Sequence, residues 1–306
     1  MKRGRKPAVR PQRQAVDLSA DRPDISKTIN ALVAAVQKVH GTNAIGRLDQ
    51  TAYEGVVGTY PTGLASLDEA IGIGGFPLAK LVQISGPESV GKSTLCKWLI
   101  HQAQVHGITP WFIDGEMSRD TPERYAALGI SSESVAWSDA IYLEDAFSYA
   151  ATGIITLRKL NKPAIVFIDS IASFMVRSAD AERDFDEHSR RAPKATFLAQ
   201  NIPKLIETIR GTQIGLVFVN QLRQKQKAGP YEDPYYEPGG MALRHFCHVI
   251  LRLNRVGQIK DGEAIVGIKS RVRVQKSKLA PPSKQAGLAL YFDGRVESLD
   301  LKDLKW

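Results

Sequence analysis

The sequence predicts an α/β fold: a mostly parallel sheet with helices on both faces and an antiparallel extension. Three observations predict it. Apolar runs ending in polar residues recur at Leu81–Ser85, Trp111–Asp114, Ile165–Asp169 and Leu216–Gln221. Helical stretches separate them, near Leu143–Lys159 and Ala195–Arg210. From about His248 helices give way to successive strand patterns, His248–Asn254, Ile265–Lys276 and Leu288–Phe292. Strands separated by helices are joined by crossovers and run parallel; strands joined by short turns pair antiparallel.

In chain order, the first element is Met1–Ala15, which carries Lys2, Arg3, Arg5, Lys6, Arg10 and Arg13, two prolines and no acid. Such a stretch buries too little apolar surface to fold. Residues 1–20 are therefore expected to be a disordered basic arm that adds non-specific affinity for DNA phosphates or is simply solvated. Its scarcity of serine argues against a transit peptide. Residues 21–50 are expected to form one helical element. Asp24–His40 is amphipathic, with Asp24 as cap, Gly41 as stop, and Ile25, Ile29, Leu32, Val33 and Val36 in one stripe. That stripe needs a partner, on its own domain or on a neighbouring subunit, and the pattern leaves both open. Residues 51–306 are expected to be the core.

Composition narrows the function. The chain has 306 residues, 43% of them hydrophobic, a formal net charge of +9 and a sequence pI near 9.5. That balance favours a polyanionic partner, nucleic acid or an acidic membrane surface. No apolar run is long enough to span a membrane and no signal core opens the chain, so neither a membrane nor a secreted protein is expected. The two cysteines, Cys96 and Cys247, are far apart and read as buried residues, Cys247 within a strand-like run.

After a turn-rich stretch from Tyr60 to Leu81, the strand Leu81–Ser85 runs into Gly86-Pro87-Glu88-Ser89-Val90-Gly91-Lys92-Ser93-Thr94 and a helix reaching about His106. This is G-x-x-x-x-G-K-[ST] between strand and helix, the context a phosphate-binding loop requires. Gly86 and Gly91 allow backbone conformations that turn N–H groups inward. The helix start adds a positive dipole end. Lys92 then reaches the outer phosphates and the Ser93 hydroxyl ligates Mg²⁺, which makes ATP and Mg²⁺ the expected ligands.

The later strand ends supply the remaining chemistry. Asp169 closes an apolar run and can hold the water shell of Mg²⁺ opposite Ser93. Glu116, just beyond the strand at Asp114, is placed to polarise a water. Gln221 ends another strand, where it can sense the terminal phosphate. Two long segments break the strand–helix rhythm and read as loops. Arg177–Lys194 carries Arg190 and Arg191, and Gln221–Met241 carries Arg223, Lys225, Lys227, three tyrosines and Gly239-Gly240 before Met241. Cations interleaved with aromatic rings suit single-stranded nucleic acid.

The chain resembles the RecA family of recombinases, bacterial and phage (UvsX-like). The matching stretches, in the family's order, are Gly63–Asp68 with Gly74-Gly75-Phe76-Pro77, Gly86–Leu95, Phe112–Glu116, Ile168-Asp169-Ser170, Asn220–Arg223, Pro238–Leu243, and Lys276-Ser277-Lys278 with Ala280–Ala286. Similar spacing runs from about Ile25 to Leu299. The resemblance implies a RecA-like P-loop ATPase core that forms a homo-oligomeric filament on single-stranded DNA, pairs it with homologous duplex and exchanges strands. It implies that Lys92, Glu116 and Gln221 are catalytic, with Gln221 coupling ATP to the second loop. Gly86 through Thr94 would hold ATP, and Ser93 and Asp169 the metal. Lys276 and Lys278 would reach a neighbouring subunit's ATP. Arg177–Lys194 and Leu222–Met241 would be the DNA-binding loops, and Asp24–His40 a polymerisation helix docked on the next protomer. A cytoplasmic, nucleoid-associated location follows.

The sequence also departs from the pattern. Tyr231, Tyr235 and Tyr236 give the second loop an unusual composition, and Met241 stands where bacterial members have asparagine. His245 replaces a usual aromatic residue, and Thr196 and Pro203 stand near the places of DNA-contacting arginines. Bacterial members continue beyond the point where Trp306 stands, so a member lacking the C-terminal domain is expected. The alternative class is a regulatory or scaffolding paralogue that binds ATP and DNA without strand exchange. A hexameric helicase of the same core is disfavoured by Asn220–Arg223 and the N-terminal helix.

Overall fold

In the computed structural model the described residues are 24–42, 44–47, 58–177, 187–225 and 232–304. The chain divides into two units, Met1–Tyr53 and Glu54–Trp306. The expected basic arm lies outside the described residues. The first unit holds α1 (Ser26–His40). Asp24 caps it from one residue outside: its Oδ1 accepts from the Ser26 amide at 2.9 Å, while Ile25 takes the cap position. Gly41 ends the helix at φ 91°, a conformation that disfavours side chains. No α1 residue is buried, and Ile25 and Leu32 are 57% and 55% exposed.

The second unit starts with β1 (Thr59–Tyr60), α2 (Ala65–Ile71) and β2 (Phe76–Pro77). Turn residues hid these short elements from sequence reading; β1 and β2 pair antiparallel. The strand–helix part follows: β3 (Leu81–Gly86), α3 (Lys92–Val105), β4 (Thr109–Asp114), α4 (Pro122–Ala127), β5 (Ala136–Asp139), α5 (Leu143–Lys159), β6 (Ala164–Asp169), α6 (Glu187–Ile209) and β7 (Ile214–Gln221). Then come β8 (Arg223–Gln224), β9 (Tyr235–Tyr236), α7 (Met241–Phe246), β10 (Val249–Asp261), β11 (Ala264–Ser277), β12 (Gln285–Tyr291) and β13 (Val296–Leu299).

One nine-stranded sheet has the order β13-β12-β11-β10-β3-β7-β6-β4-β5. Its pairs from β10 to β5 are parallel, and those from β10 to β13 antiparallel. Period-two alternation in fully buried strands explains the two cores. In β6, Ile165 and Phe167 join the core that includes Leu95 and Leu99 of α3, while Val166 and Ile168 join Phe147 of α5 and Ile202 of α6. Each such side chain contributes about 1.5–3 kcal/mol by leaving water. A strand apolar on both sides must be covered on both sides, which is why helices lie on both faces.

Several expectations are corrected. The first predicted loop, Arg177–Lys194, is helical from Glu187, because α6 starts eight residues before the predicted Ala195 despite Pro193 inside it. Arg190 and Arg191 therefore stand on a helix. The second predicted loop contains the ladder Arg223↔Tyr236 and Gln224↔Tyr235. β-favouring tyrosines opposite β7's continuation make that pairing. Cys247 is the residue after α7, not part of a strand; both cysteines are buried and free. β5 and β13 were missed because edge strands lack a continuous apolar run; β5 is nowhere fully buried.

Candidate functional site

β3 positions the loop from Gly86 to Gly91, and the antiparallel extension holds it from the other side. The Ser270 hydroxyl of β11 donates to the Val90 carbonyl at 2.7 Å. Gly91 caps α3 at φ 93°, and a Cβ there would stand 2.1 Å from Leu290 Cδ1 of β12. At Gly86 a Cβ would stand 2.7 Å from the Leu253 carbonyl oxygen. Both motif glycines thus answer to close approach by the neighbouring strands, and Gly91 also to its positive φ.

The loop borders a cavity of about 570 Å³, reached by Glu88, Ser89, Gly91, Lys92, Ser93 and Thr94. Gly86, Pro87 and Val90 shape the loop from behind. The Lys92 ammonium, 7% exposed, donates to the carbonyls of Gly86 at 3.1 Å and Pro87 at 2.7 Å. Burial lowers its pKa, and the charges of Asp169 and Glu116 oppose that shift. The carboxyl ends of the parallel strands bring Glu116, Asp169 and Gln221 to the same cavity.

Glu116 Oε1 is the hub. It accepts from Ser170 Oγ at 2.7 Å, Ser173 Oγ at 3.3 Å and Gln221 Nε2 at 2.6 Å. Buried Asp114 shapes its approach by accepting from the backbone amides of Glu116 at 2.8 Å and Ser118 at 2.6 Å. Asp169 is 4% exposed. Burial, then the neighbouring charges of Glu116 and Asp114, pushes its pKa up to about 7. Two buried carboxylates, Asp114 and Asp169, beside the exposed Glu116 at the end of the sheet make a place that favours added positive charge.

Sequence reasoning missed five residues here. Ser170 and Ser173 hold Glu116, and Arg255, Ile268 and Phe292 line the cavity from the extension. The last three come from separate strands or their ends, so no local spacing marks them.

The other predicted residues lie elsewhere. Lys276 and Lys278 do not line this cavity. The Lys276 ammonium donates to the carbonyls of Arg244 and, at 2.8 Å, His245, beside a second cavity of about 560 Å³ that includes Met241 and Phe246. Gly239 and Gly240 have φ of 94° and 73°, and Met241 is 76% exposed. Asn220, next to Gln221, donates to the Pro238 carbonyl at 2.9 Å and so fixes the approach to the glycine pair. Arg223 is in β8, and Lys225 faces Glu232 at 3.5 Å. Lys227 and Tyr231 lie outside the described residues, and only the backbone of Arg190 and Arg191 is described.

Among the described residues, no group of three or more His, Cys, Asp and Glu side chains is placed to hold a metal. No helix is long and apolar enough to cross a membrane among them.

The family model of the RecA N-terminal domain matches residues 27–297. The chain is 34% identical to Protein RecA of Thermus thermophilus over 267 residues, 87% of this chain and 76% of the relative. It is 31% identical to Protein RecA of Oleidesulfovibrio alaskensis over 280 residues, 91% of this chain and 77% of the relative.

Proposed function

Because this chain belongs to the RecA family of recombination proteins, we propose that it is a DNA-dependent ATPase that forms filaments on single-stranded DNA. In that state it pairs the strand with homologous duplex and exchanges strands, hydrolysing ATP at subunit interfaces. The observation that carries this reading is the 2.6 Å bond between Gln221 and Glu116 over the cavity. It joins the group placed to polarise a water to the root of the 222–241 segment.

The chain's own groups have these roles. Lys92 releases the loop carbonyls and turns to the anionic phosphates, while the loop amides and the α3 N-terminus receive them. Glu116 orients the attacking water and takes its proton. Gln221 exchanges its bond to Glu116 for one to the terminal phosphate, which frees the carboxylate and repositions the segment that follows. The donor set fits Mg²⁺: Ser93 and Asp169 offer oxygen only, and burial first, then the charges of Glu116 and Asp114, raises the pKa of Asp169, a cost that a cation would relieve. Mg²⁺, when bound, neutralises charge on the phosphates. Lys276 and Lys278 lie away from the cavity of their own chain and serve a neighbour's nucleotide. Arg223, Lys225, Lys227, Arg190, Arg191 and the Gly239–Met241 turn face DNA. The filament works in the cytoplasm, on the nucleoid.

The test is ATP hydrolysis with and without single-stranded DNA, beside Lys92→Ala. Strong stimulation in the wild type and loss of turnover in the variant are expected. ATP binding without DNA-stimulated turnover would replace the recombinase with a regulatory or scaffolding protein.

A further inference from the structure

Lys194 has no role in the site described above, yet its contacts run between the parts of that site. It stands on α6, and its ammonium donates to the carbonyls of Ile171 at 3.2 Å and Ala172 at 2.9 Å. Those carbonyls belong to the turn whose Ser170 and Ser173 hydroxyls hold Glu116. Among the described residues no carboxylate bonds to Lys194. Burial first, then the charge of Arg223, brings its pKa down to about 8. A half-buried ammonium that spends its donors on two backbone carbonyls costs desolvation, and it fixes position rather than balancing charge.

The same part of α6 touches the glycine pair. A Cβ on Gly240 would stand 3.1 Å from that of Ala195, and one on Gly239 would stand 2.8 Å from Leu198 Cδ1 and 3.5 Å from Ile171 Cγ2. The backbone of 239–240 is therefore pressed against both α6 and the turn. Seven residues before Lys194, the same helix starts at Glu187 and carries Arg190 and Arg191.

We propose that Lys194 is a positioning residue that ties both candidate DNA segments to the carboxylate Glu116 through the turn at 170–173. The inference rests on the ATP-and-DNA reading above and adds a second route to the one through Gln221. When the seryl contacts of Glu116 change, the carbonyls of Ile171 and Ala172 move with the turn. Lys194 carries that movement into α6, and from there to the backbone packed on it.

The test uses the full chain and a fluorescent oligodeoxythymidylate, its affinity measured with and without a non-hydrolysable ATP analogue plus Mg²⁺. Wild type is expected to bind more tightly with the nucleotide. Lys194→Met is expected to keep the nucleotide-free affinity and the DNA-independent hydrolysis rate but to lose about tenfold of the enhancement, a typical coupling between sites. Lys194→Arg, which keeps the donors, is expected to retain most of it. Lys194→Gln serves in the same way as the methionine variant should that one not fold. Equal enhancement in wild type and Lys194→Met overturns the proposal. So does equal weakening with and without nucleotide, the mark of a direct phosphate contact, and so does a wild type with no enhancement. Hydrolysis is followed alongside: if DNA does not stimulate the wild type, the ATPase reading falls, while the affinity ratio still judges Lys194.

Discussion

At His248 a single ring nitrogen sets a pH dependence. Nδ1 accepts the Leu81 amide at 3.1 Å, at the start of the strand that leads into the phosphate loop. An acceptor nitrogen carries no proton. Burial, then the charges of Lys80, Lys278 and Lys276, lowers the ring's pKa from the usual 6.5 to about 4. The sign follows directly. Between those values the unfolded chain takes up a proton that the folded chain refuses, so stability falls as pH drops from 6.5 towards 4. The loss is of order 1–2 kcal/mol, after discount for the ring's partial exposure. Urea unfolding at pH 7.5 and pH 5 checks it. His248→Asn keeps an acceptor without the titration and is expected to lose less stability on acidification. An equal loss in both proteins would place the effect elsewhere.

Elements meet closely where α5 passes Trp111 of β4. Gly153 of α5 lies under the Trp111 ring, and a Cβ there would stand 2.0 Å from Cζ3. No positive φ is involved, so the cost of a side chain is pure overpacking, about 1–3 kcal/mol. Gly153→Ala is expected to lower the unfolding free energy read from urea titration by about that amount, against alanine's ordinary advantage in a helix. Trp111→Phe in the same background is expected to recover part of it, giving a non-additive double-mutant cycle. A neutral or stabilising Gly153→Ala would show that the Trp111 ring is free to move aside. α5 itself was predicted at its observed bounds, Leu143–Lys159, because its apolar spacing is strongly helical. The Trp111 contact has no local signal, since it joins residues on separate elements and depends on how β4 lies beneath α5.

For the molecule as a whole, charge and the unburied N-terminal stripe point to assembly. In the proposed DNA complex, affinity falls with salt at a slope set by the number of phosphates its cations contact, and a net charge of +9 favours such contacts. Exposed Ile25, Ile29 and Leu32 on and beside α1 need a partner, and the proposed filament supplies one in the next protomer. Replacing Ile29 and Leu32 together by glutamate is expected to leave the melting temperature of the core nearly unchanged. It is expected to abolish the DNA-dependent rise in light scattering that reports filament growth. Unchanged scattering would remove α1 from assembly.

The sequence by itself determined what rests on local chemistry. The phosphate loop was legible because strand, glycines, lysine and helix are contiguous, so backbone geometry and dipole follow from adjacent residues. Asp169, Glu116 and Gln221 were legible as polar ends of buried strands, since parallel sheets bring such ends to one side. The alternation of apolar strand runs with helical stretches determined that helices cover both faces. Only the tertiary structure decided which groups meet across the sheet. It placed Ser170 and Ser173 on Glu116, set Arg255, Ile268 and Phe292 beside the loop, and put Lys194, a predicted loop boundary, on a helix with its ammonium on the carbonyls of Ile171 and Ala172. It also extended α6 through Arg190 and Arg191, against Pro193 and the charged composition of that stretch. Such contacts join residues far apart in the chain, and the order of strands in the sheet sets them, which no short spacing encodes.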